Sequence, residues 1–562
     1  MKGIKPVKME VMKKQTTIFL SLIILFVAPV LNAQDEINKE VRVVKPYTPT
    51  LSDAEKINLL PEFNDTTKVY SQFQYSIKPR RYSTNFRVKP ITPAKMIGLP
   101  LKPLYKSQLS IGFGNYTTPF VELTVNQLRD RKNAIGLYVK HLSSAGKVKL
   151  ENDKKVNAGF SDNLANFYGR RMFDHSVLEG SLKAGYNSVL YYGYNPVIDT
   201  VLDRDAILQR IYTAGAGIEY YSSNPDSSHF NYKTTLDYNF ITDWSRHTEH
   251  GINLQTEFAK FFGDWYSTLE AGTELFSRSD NIDSASNLVV RLNPRVSKAG
   301  EEWRFQVGFN SAYDGKTGLS LYPRVEFEFN IVKNVLIPYM GITGYKEVNS
   351  YRSLLMENPF IMPGTIAENT DYATIGYFGL KGSYSSRMSF DFRFKYSTIN
   401  YMHFFVNSVS DTLRNQFAVV HDDARILNFG GEVTWNHTDE LKFMLRGDYS
   451  NYEMDNLEHP WHKPDLKVNF NASYNLREKI MIDGNLFYTG KRYALFNGDL
   501  NLPDEIIELK GFVDANLSAE YRYTSMLSFF LKLNNLTASR YQQWYLYPVQ
   551  RFQAMVGFSY AL

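Results

Sequence analysis

Hydrophobic and polar positions alternate along most of this chain. The stretch Met388-Ser389-Phe390-Asp391-Phe392-Arg393-Phe394-Lys395-Tyr396 shows the pattern at its purest. One face carries Met388, Phe390, Phe392, Phe394 and Tyr396, and the other carries Ser389, Asp391, Arg393 and Lys395. Period two is the signature of a strand whose two faces meet different surroundings. The pattern continues from Ser107 to Leu562 with no helical stretch to cover the apolar faces, and the segment from Asp465 onward reads as about five such strands. A soluble sheet hides its apolar face against a second layer. Without that layer, the pattern predicts an all-β fold, a transmembrane antiparallel β-barrel with lipid outside and a polar lumen inside.

Strands are expected near 107–114, 118–128, 132–145, 155–171, 175–193, 207–222, 228–243, 250–262, 265–278, 287–297 and 302–314. The series continues near 319–331, 335–348, 371–384, 387–404, 424–437, 440–453, 466–476, 479–490, 508–522, 525–537 and 546–562. That is about 22 strands, and the connections give an independent check. Every second connection is short, as at 129–131, 263–264 and 385–386. The other set holds the long ones, including 194–206, 349–370, 405–423, 452–465 and 491–507. Outer-membrane barrels sort their loops in this way, with short periplasmic turns and longer outer loops. The sorting places both ends of the barrel in the periplasm.

The register follows from charge. Leu321, Val325, Phe327, Phe329 and Ile331 are expected to face lipid, with Tyr322, Arg324, Glu326, Glu328 and Asn330 inside. Trp303, Phe305, Val307 and Phe309 face lipid against Arg304, Gln306 and Asn310. The last strand turns Phe552, Ala554, Val556, Phe558, Tyr560 and Leu562 outward. A charge on the lipid side costs about 2–4 kcal/mol at mid-bilayer, so slipping a strand by one residue is heavily penalised.

The N-terminal region reads differently. Lys13-Lys14, the apolar run Ile18 to Val30 and the small residue Ala33 form a secretory signal over 1–33. Residues 34–106 hold eight prolines, at 46, 49, 61, 79, 90, 93, 100 and 103. Proline at that density opposes helix and central strand, so this segment reads as an extended periplasmic arm, with one short helix conceivable at Ser52–Lys56. The barrel domain is 107–562. No run of about 18 apolar residues follows the signal, so helices do not carry the chain across a bilayer. Tyr and Phe number 39 and 38 against 6 Trp, a composition that suits membrane–water interfaces. The net charge of +5 is dispersed and does not point to nucleic acid. The absence of Cys excludes thiolate metal sites and disulfides.

Residues near the C-terminus resemble a known family. Leu533-Asn534-Asn535-Leu536-Thr537, then Tyr541, then Tyr547-Pro548-Val549-Gln550-Arg551 and the alternating strand to Leu562 resemble the C-terminal end of TonB-dependent receptors. Pro464 entering a strand, and Tyr488-Thr489-Gly490-Lys491-Arg492-Tyr493, are similar to the hairpins just upstream in that family. Gly557, Tyr560 and Leu562 resemble the signal read by the barrel-assembly machinery, although Met555 replaces a polar residue and Leu562 the usual Phe. Glu40-Val41-Arg42-Val43-Val44 looks like a TonB box. The resemblance implies a 22-stranded receptor-type barrel with a globular plug. Residues 34–106 lack a plug-like pattern, so the expectation is a receptor-like barrel without a recognisable plug domain.

No catalytic motif is present: there is no Gly-x-Ser-x-Gly, no His-Glu-x-x-His and no phosphate loop. His247-Thr248-Glu249-His250 and His459-Pro460-Trp461-His462 lie in outer loops, where plain polar roles outweigh metal binding. The acidic group Asp499, Asn501, Asp504, Glu505 and Glu508 lacks the glycine of a tight calcium loop. Glu326, Glu328 and Asp391 read as ion-pair partners of Arg324, Arg393 and Lys395 rather than paired acids. No catalytic, cofactor or metal residue is assigned, and the chain does not read as an enzyme. Two functions remain: a transport or porin-like conduit, or a scaffold that binds other envelope proteins. Expected partners are outer-membrane lipid, the assembly machinery, and a periplasmic or outer-membrane protein met through 34–106. Phe360, Pro363, Phe404, Phe405, Leu495 and Phe496 give the long outer loops apolar surface, so these loops are expected to fold inward and close the lumen in part.

Overall fold

A computed structural model describes residues 104–562 apart from 128–129, 131, 195–201, 224–229, 280–283, 334, 410–412 and 497–504. The expected signal and Pro-rich arm therefore lie outside the described residues, apart from Leu104–Lys106.

The wall consists of 22 antiparallel strands. The first eleven are Ser107–Gly114 (β1), Thr118–Asn126 (β2), Asn133–Ser144 (β3), Phe160–Met172 (β4), Ser176–Leu190 (β5), Leu208–Ser222 (β6), Asn231–Asp243 (β7), Thr248–Phe262 (β8), Trp265–Ser279 (β9), Ser284–Ala299 (β10) and Trp303–Asp314 (β11). The rest are Gly318–Phe329 (β12), Ile337–Glu347 (β13), Thr370–Ser385 (β14), Met388–Asn407 (β15), Phe417–Asn436 (β16), Leu441–Met454 (β17), Leu466–Leu476 (β18), Ile480–Thr489 (β19), Phe512–Arg522 (β20), Leu527–Asn534 (β21) and Gln553–Ala561 (β22). Each strand pairs with its neighbour in sequence, and β22 returns to pair with β1, with Leu109 opposite Tyr560 and Phe113 opposite Val556. The Ser107 N–H donates to the Leu562 carbonyl at 3.0 Å, and the Leu562 N–H donates back at 2.7 Å. Closure leaves no strand edge in lipid, which is the condition for a sheet to cross a membrane.

The exposed apolar side chains lie on the outside of this wall. Leu321 is 63% exposed and Val556 61%, values that would be costly in water and are natural against acyl chains. Phe262, Trp265, Trp303, Tyr384, Trp435 and Tyr523 are exposed at the short-turn end and form an aromatic girdle there. The interior holds the charges. Lys140 pairs with Asp162 at 2.9 Å, Lys233 with Glu219 at 3.0 Å, and Arg295 with Glu257 and Glu270.

Three expected strands are each broken by a close contact or a proline. The stretch expected at 155–171 divides: Lys155–Asn157 pairs with Lys147–Lys149 as a small hairpin, and β4 begins at Phe160. Gly159 makes the joint, because a Cβ there would lie 2.6 Å from the Ser144 carbonyl oxygen. The stretch at 508–522 divides at Lys510-Gly511, with Glu505–Leu509 pairing with Arg492–Phe496 instead of joining the wall. The stretch at 546–562 divides after Pro548, and β22 starts only at Gln553. The loop expected at 405–423 is shorter. β15 and β16 run 20 residues each and stay paired as far as Asn407 and Phe417.

Candidate functional site

The long-loop end is crossed by its own loops. Their residues form one buried cluster comprising Ile211 of β6, Ile241 of β7, Tyr351, Leu354, Leu355, Ile361 and Ala367 of the 348–369 segment, Phe405 of β15, Phe417 of β16, and Trp544 and Tyr547 of the 535–552 segment. In a ring of 22 strands, β6–β7, β15–β16 and β21–β22 stand far apart around the circumference. Side chains from these three places touch only by meeting across the mouth. Phe360 stacks on Tyr547 at 3.7 Å between ring centres, Tyr192 packs on Tyr547 at 4.9 Å, and Phe405 packs on Trp544 at 5.2 Å.

The sequence builds this cap locally. Ser350 caps a short helix, Tyr351–Glu357 (α1), in a box with Ser353, its hydroxyl accepting from the Ser353 N–H at 3.0 Å. The N–H groups of Tyr351 and Arg352 donate to the Glu249 carboxylate at 2.7 and 3.2 Å. A carboxylate at a helix N-terminus satisfies two orphan donors and meets the positive end of the helix dipole. The Tyr351 hydroxyl donates to Asp243 at 2.6 Å. Burial, and then the Asp243 charge, push the Tyr351 phenol well above its ordinary pKa. The far end of the segment is pinned by Asn369, which donates to Asp314 at 2.9 Å and exchanges amide bonds with Asn287 at 2.7 and 3.0 Å.

A bulge aims the β15–β16 pair at the mouth. The register shifts between Ile399 and Met402, with Tyr401 at φ 56° and its N–H donating to Asp423 at 2.9 Å. Bulges bend the strand that carries them. Beyond this one, Phe404 and Phe405 are adjacent and both fully buried. At the tip, the Asn415 side chain donates to the Tyr191 carbonyl at 2.6 Å, and the Tyr191 hydroxyl donates to the Ile361 carbonyl at 3.0 Å.

The C-terminal motif residues stitch the 535–552 segment into the cap. The Asn535 amide donates to the carbonyls of Ser539 and Gln550 at 2.8 and 3.0 Å. Tyr541 stacks on Phe512 at 3.8 Å and donates to Asp514 at 3.2 Å. Gln550 donates to the Ala158 carbonyl at 3.0 Å, tying in the small hairpin at 147–157. Arg492, nearly buried, donates to the carbonyls of Gln543 and Gln542, both at 2.8 Å.

Charged groups latch the pieces. Glu357 at the end of α1 faces His403 Nε2 at 2.7 Å and Lys463 Nζ at 2.7 Å. Burial alone would raise its carboxyl, but the hydrogen bond from His403 and the Lys463 charge outweigh that and hold it at about 2. His462 is buried with Nδ1 3.0 Å from the Phe405 carbonyl and Nε2 3.3 Å from the Tyr545 N–H. Burial depresses its pKa to about 3, so the neutral ring is the docked form.

The structure separates the histidine groups singled out in the sequence. His247 Nδ1 lies 3.3 Å from Asp243, Glu249 holds α1, and the exposed His250 meets the Tyr238 hydroxyl at 2.8 Å. His459 stacks on Tyr493 at 3.9 Å while His462 is buried. Of the acidic group, Asp499, Asn501 and Asp504 lie outside the described residues, whereas Glu505 and Glu508 are on the 492–509 hairpin. Glu326 pairs with Arg324 at 3.2 Å as expected. Glu328 pairs with Lys381 instead, and Asp391 accepts from the Tyr339 hydroxyl at 2.6 Å. Of the loop residues expected to fold inward, Phe404, Phe405 and Phe496 are buried, and Phe360 and Leu495 pack against buried clusters.

No protein-family model matches the sequence, and no curated protein is similar to it in sequence. Solved structures do share the fold. The copper transporter OprC aligns with a TM-score of 0.61 at 12% identity, over 81% of this chain and 80% of that one. The ferric enterobactin receptor PfeA of Pseudomonas aeruginosa aligns at 0.60 and 11%, over 81% and 80%. The ferric-catecholate import receptor Fiu of Escherichia coli K12 aligns at 0.59 and 10%, over 82% of each chain. The barrel has the fold of TonB-dependent receptors, which sit in the outer membrane of Gram-negative bacteria. At such identities the likeness is one of fold.

Proposed function

We propose that this protein is an outer-membrane conduit whose outer mouth is held shut at rest by its own loops, without a recognisable plug domain. The observation that carries this reading is the single apolar cluster built from β6–β7, β15–β16 and the 535–552 segment. A 22-stranded wall encloses more space than its own side chains fill, so the lumen is an aqueous path unless something occupies or covers it. The transport receptors that share the fold support a role in solute passage. The Pro-rich segment 34–106 is a tether or docking arm in this reading, and the solute is admitted when the cap loosens.

The scaffold reading keeps one specific support: a cap so extensively bonded suits a static platform as well as a gate. Planar-bilayer conductance separates the two. Purified full-length protein should conduct little, and the variant Trp544→Ala with Tyr547→Ala should conduct strongly. If both stay silent while envelope proteins co-purify in mild detergent, the protein is a scaffold.

A further inference from the structure

Under the cap, the lumen wall from β17 to β19 has a recess of about 650 Å³, with Arg446, Asp448, Lys463 and Lys467 in its lining. Arg393 and Lys395 stand beside it on β15. Its register brings cations together. Arg393 lies opposite Gly430, Gly430 opposite Asp448, and Asp448 opposite Lys467, one hydrogen-bonded row across four strands. Arg393, Asp448 and Lys467 point inward, since Phe392, Phe429, Tyr449 and Phe470 hold the alternate, outward positions. Lys395 stands two residues from Arg393 on the same face.

The charges here do not cancel. Asp448 is already engaged by Arg446 at 2.9 Å. Among the described residues, Arg393, Lys395 and Lys467 have no carboxylate partner. On the opposite wall Lys140, Arg170, Lys233, Arg291 and Arg295 are each paired with an acid. Of the other carboxylates on this face, Glu432 lies 4.0 Å from Arg446 and Asp391 accepts from Tyr339 at 2.6 Å. The three cations without an ion pair therefore leave a positive potential, strengthened by the low-dielectric wall behind it. Asn469 and Asn471 line the same recess, and the neighbouring Asn485 amide donates to both at 2.9 and 2.7 Å. Amides beside cations suit a ligand with hydroxyls as well as charge. Lys463 reaches the recess from the cap, so the site borders the gate.

We infer that this recess and the wall at its β15 side bind a small, hydroxyl-bearing anion through carboxylate or phosphate oxygens, with Lys467 in the recess and Arg393 and Lys395 beside it as the charge contacts. The inference rests on the conduit reading and names the solute class. Titration calorimetry of the full chain in detergent tests it, with glucose 6-phosphate and glucuronate as probes and glucose as control. Both anions should bind and glucose should not, and affinity should fall as salt rises. Replacing all three cations (Arg393→Gln, Lys395→Gln and Lys467→Gln) should weaken binding at least tenfold, while Lys467→Arg should retain it. Heat-modifiable gel mobility confirms that each variant is folded. Equal binding of glucose, no binding of either anion, or unchanged binding by the triple variant would overturn the site. If the cap-loosened barrel still conducts, the conduit reading survives that loss. A cap-loosened barrel that never conducts ends the conduit reading, whatever the calorimetry shows.

Discussion

The Nε2 of His462 accepts a hydrogen bond from the backbone N–H of Tyr545 at 3.3 Å, while its Nδ1 donates to the Phe405 carbonyl at 3.0 Å. One neutral imidazole thus ties the loop at 455–465 to both the β15 arm and the 535–552 segment. A second proton on the ring would occupy Nε2 and set an N–H against the Tyr545 N–H. The folded-state pKa of His462, about 3, lies below its ordinary value. The docked cap therefore binds fewer protons than the released one. Its contribution is full above about pH 6.5 and is lost as pH falls toward 3. Single-channel recordings should show opening events that grow more frequent over that window, and His462→Phe should flatten the dependence.

Glu357 acts in a lower window. Its carboxyl is held at about 2, so its latch with His403 and Lys463 is intact above the ordinary carboxylate range and weakens as pH falls from about 4.5 to 2. It is partly exposed, so its share is smaller than that of a buried pair. Glu357→Gln should remove the Glu357 share of the acid-induced change between about pH 4.5 and 2 and leave the His462 share, from about pH 6.5 to 3, in place, as read by limited proteolysis of the outer loops.

The wall register makes a second test. Phe392 is 50% exposed to lipid, whereas Arg393 faces the lumen. Phe392→Arg should cost about 2–4 kcal/mol if the position lies near mid-bilayer, and Arg393→Gln should be mild. Equal tolerance in a lipid-vesicle folding assay would contradict this facing.

Closure depends on the final strand. Deleting Phe558–Leu562 removes the residues that pair with Gln108–Ile111 of β1 and Leu527–Phe529 of β21. The remaining barrel would carry an open edge in lipid. Heat-modifiable, surface-exposed protein should disappear, and its persistence would refute the closure.

The wall was legible in the sequence because period two is forced wherever one face meets lipid and the other water. All 22 strands were placed by that signal. The cap was only half legible. Adjacent Phe404 and Phe405 do not fit a wall strand, and their joint burial explains why. The run Trp544-Tyr545-Leu546-Tyr547 breaks the alternation in the same way, although its second half lies within the span 546–562 expected for the last strand. Lapses in period two thus mark where the chain leaves the wall. The hydrogen bonds that pin the cap, such as Asn415 to Tyr191 across 224 positions of sequence, leave no local pattern. Nor did sequence show that Arg393 and Lys395 are unpaired, because their partners were assigned by adjacency, whereas Asp391 turned to Tyr339.

Anchoring of the cap can be weakened from the wall side. Glu249→Ala would strip the Tyr351 and Arg352 N–H groups of their acceptor, at about 1–3 kcal/mol. Trp544→Ala would empty part of the central cluster, at about 3–5 kcal/mol. Protease sensitivity of the 348–369 segment should rise in both variants while the barrel stays heat-modifiable.

The most direct test is access to the lumen from outside. The chain has no cysteine, so Asn428→Cys places one thiol on the lumen face opposite Lys395 without a competing site. Intact cells are then treated with a maleimide dye too large for general porins. With the cap intact, the account predicts no labelling. With Trp544→Ala and Tyr547→Ala added, it predicts rapid labelling. Equal labelling with and without those two changes would contradict closure of the mouth by the loops.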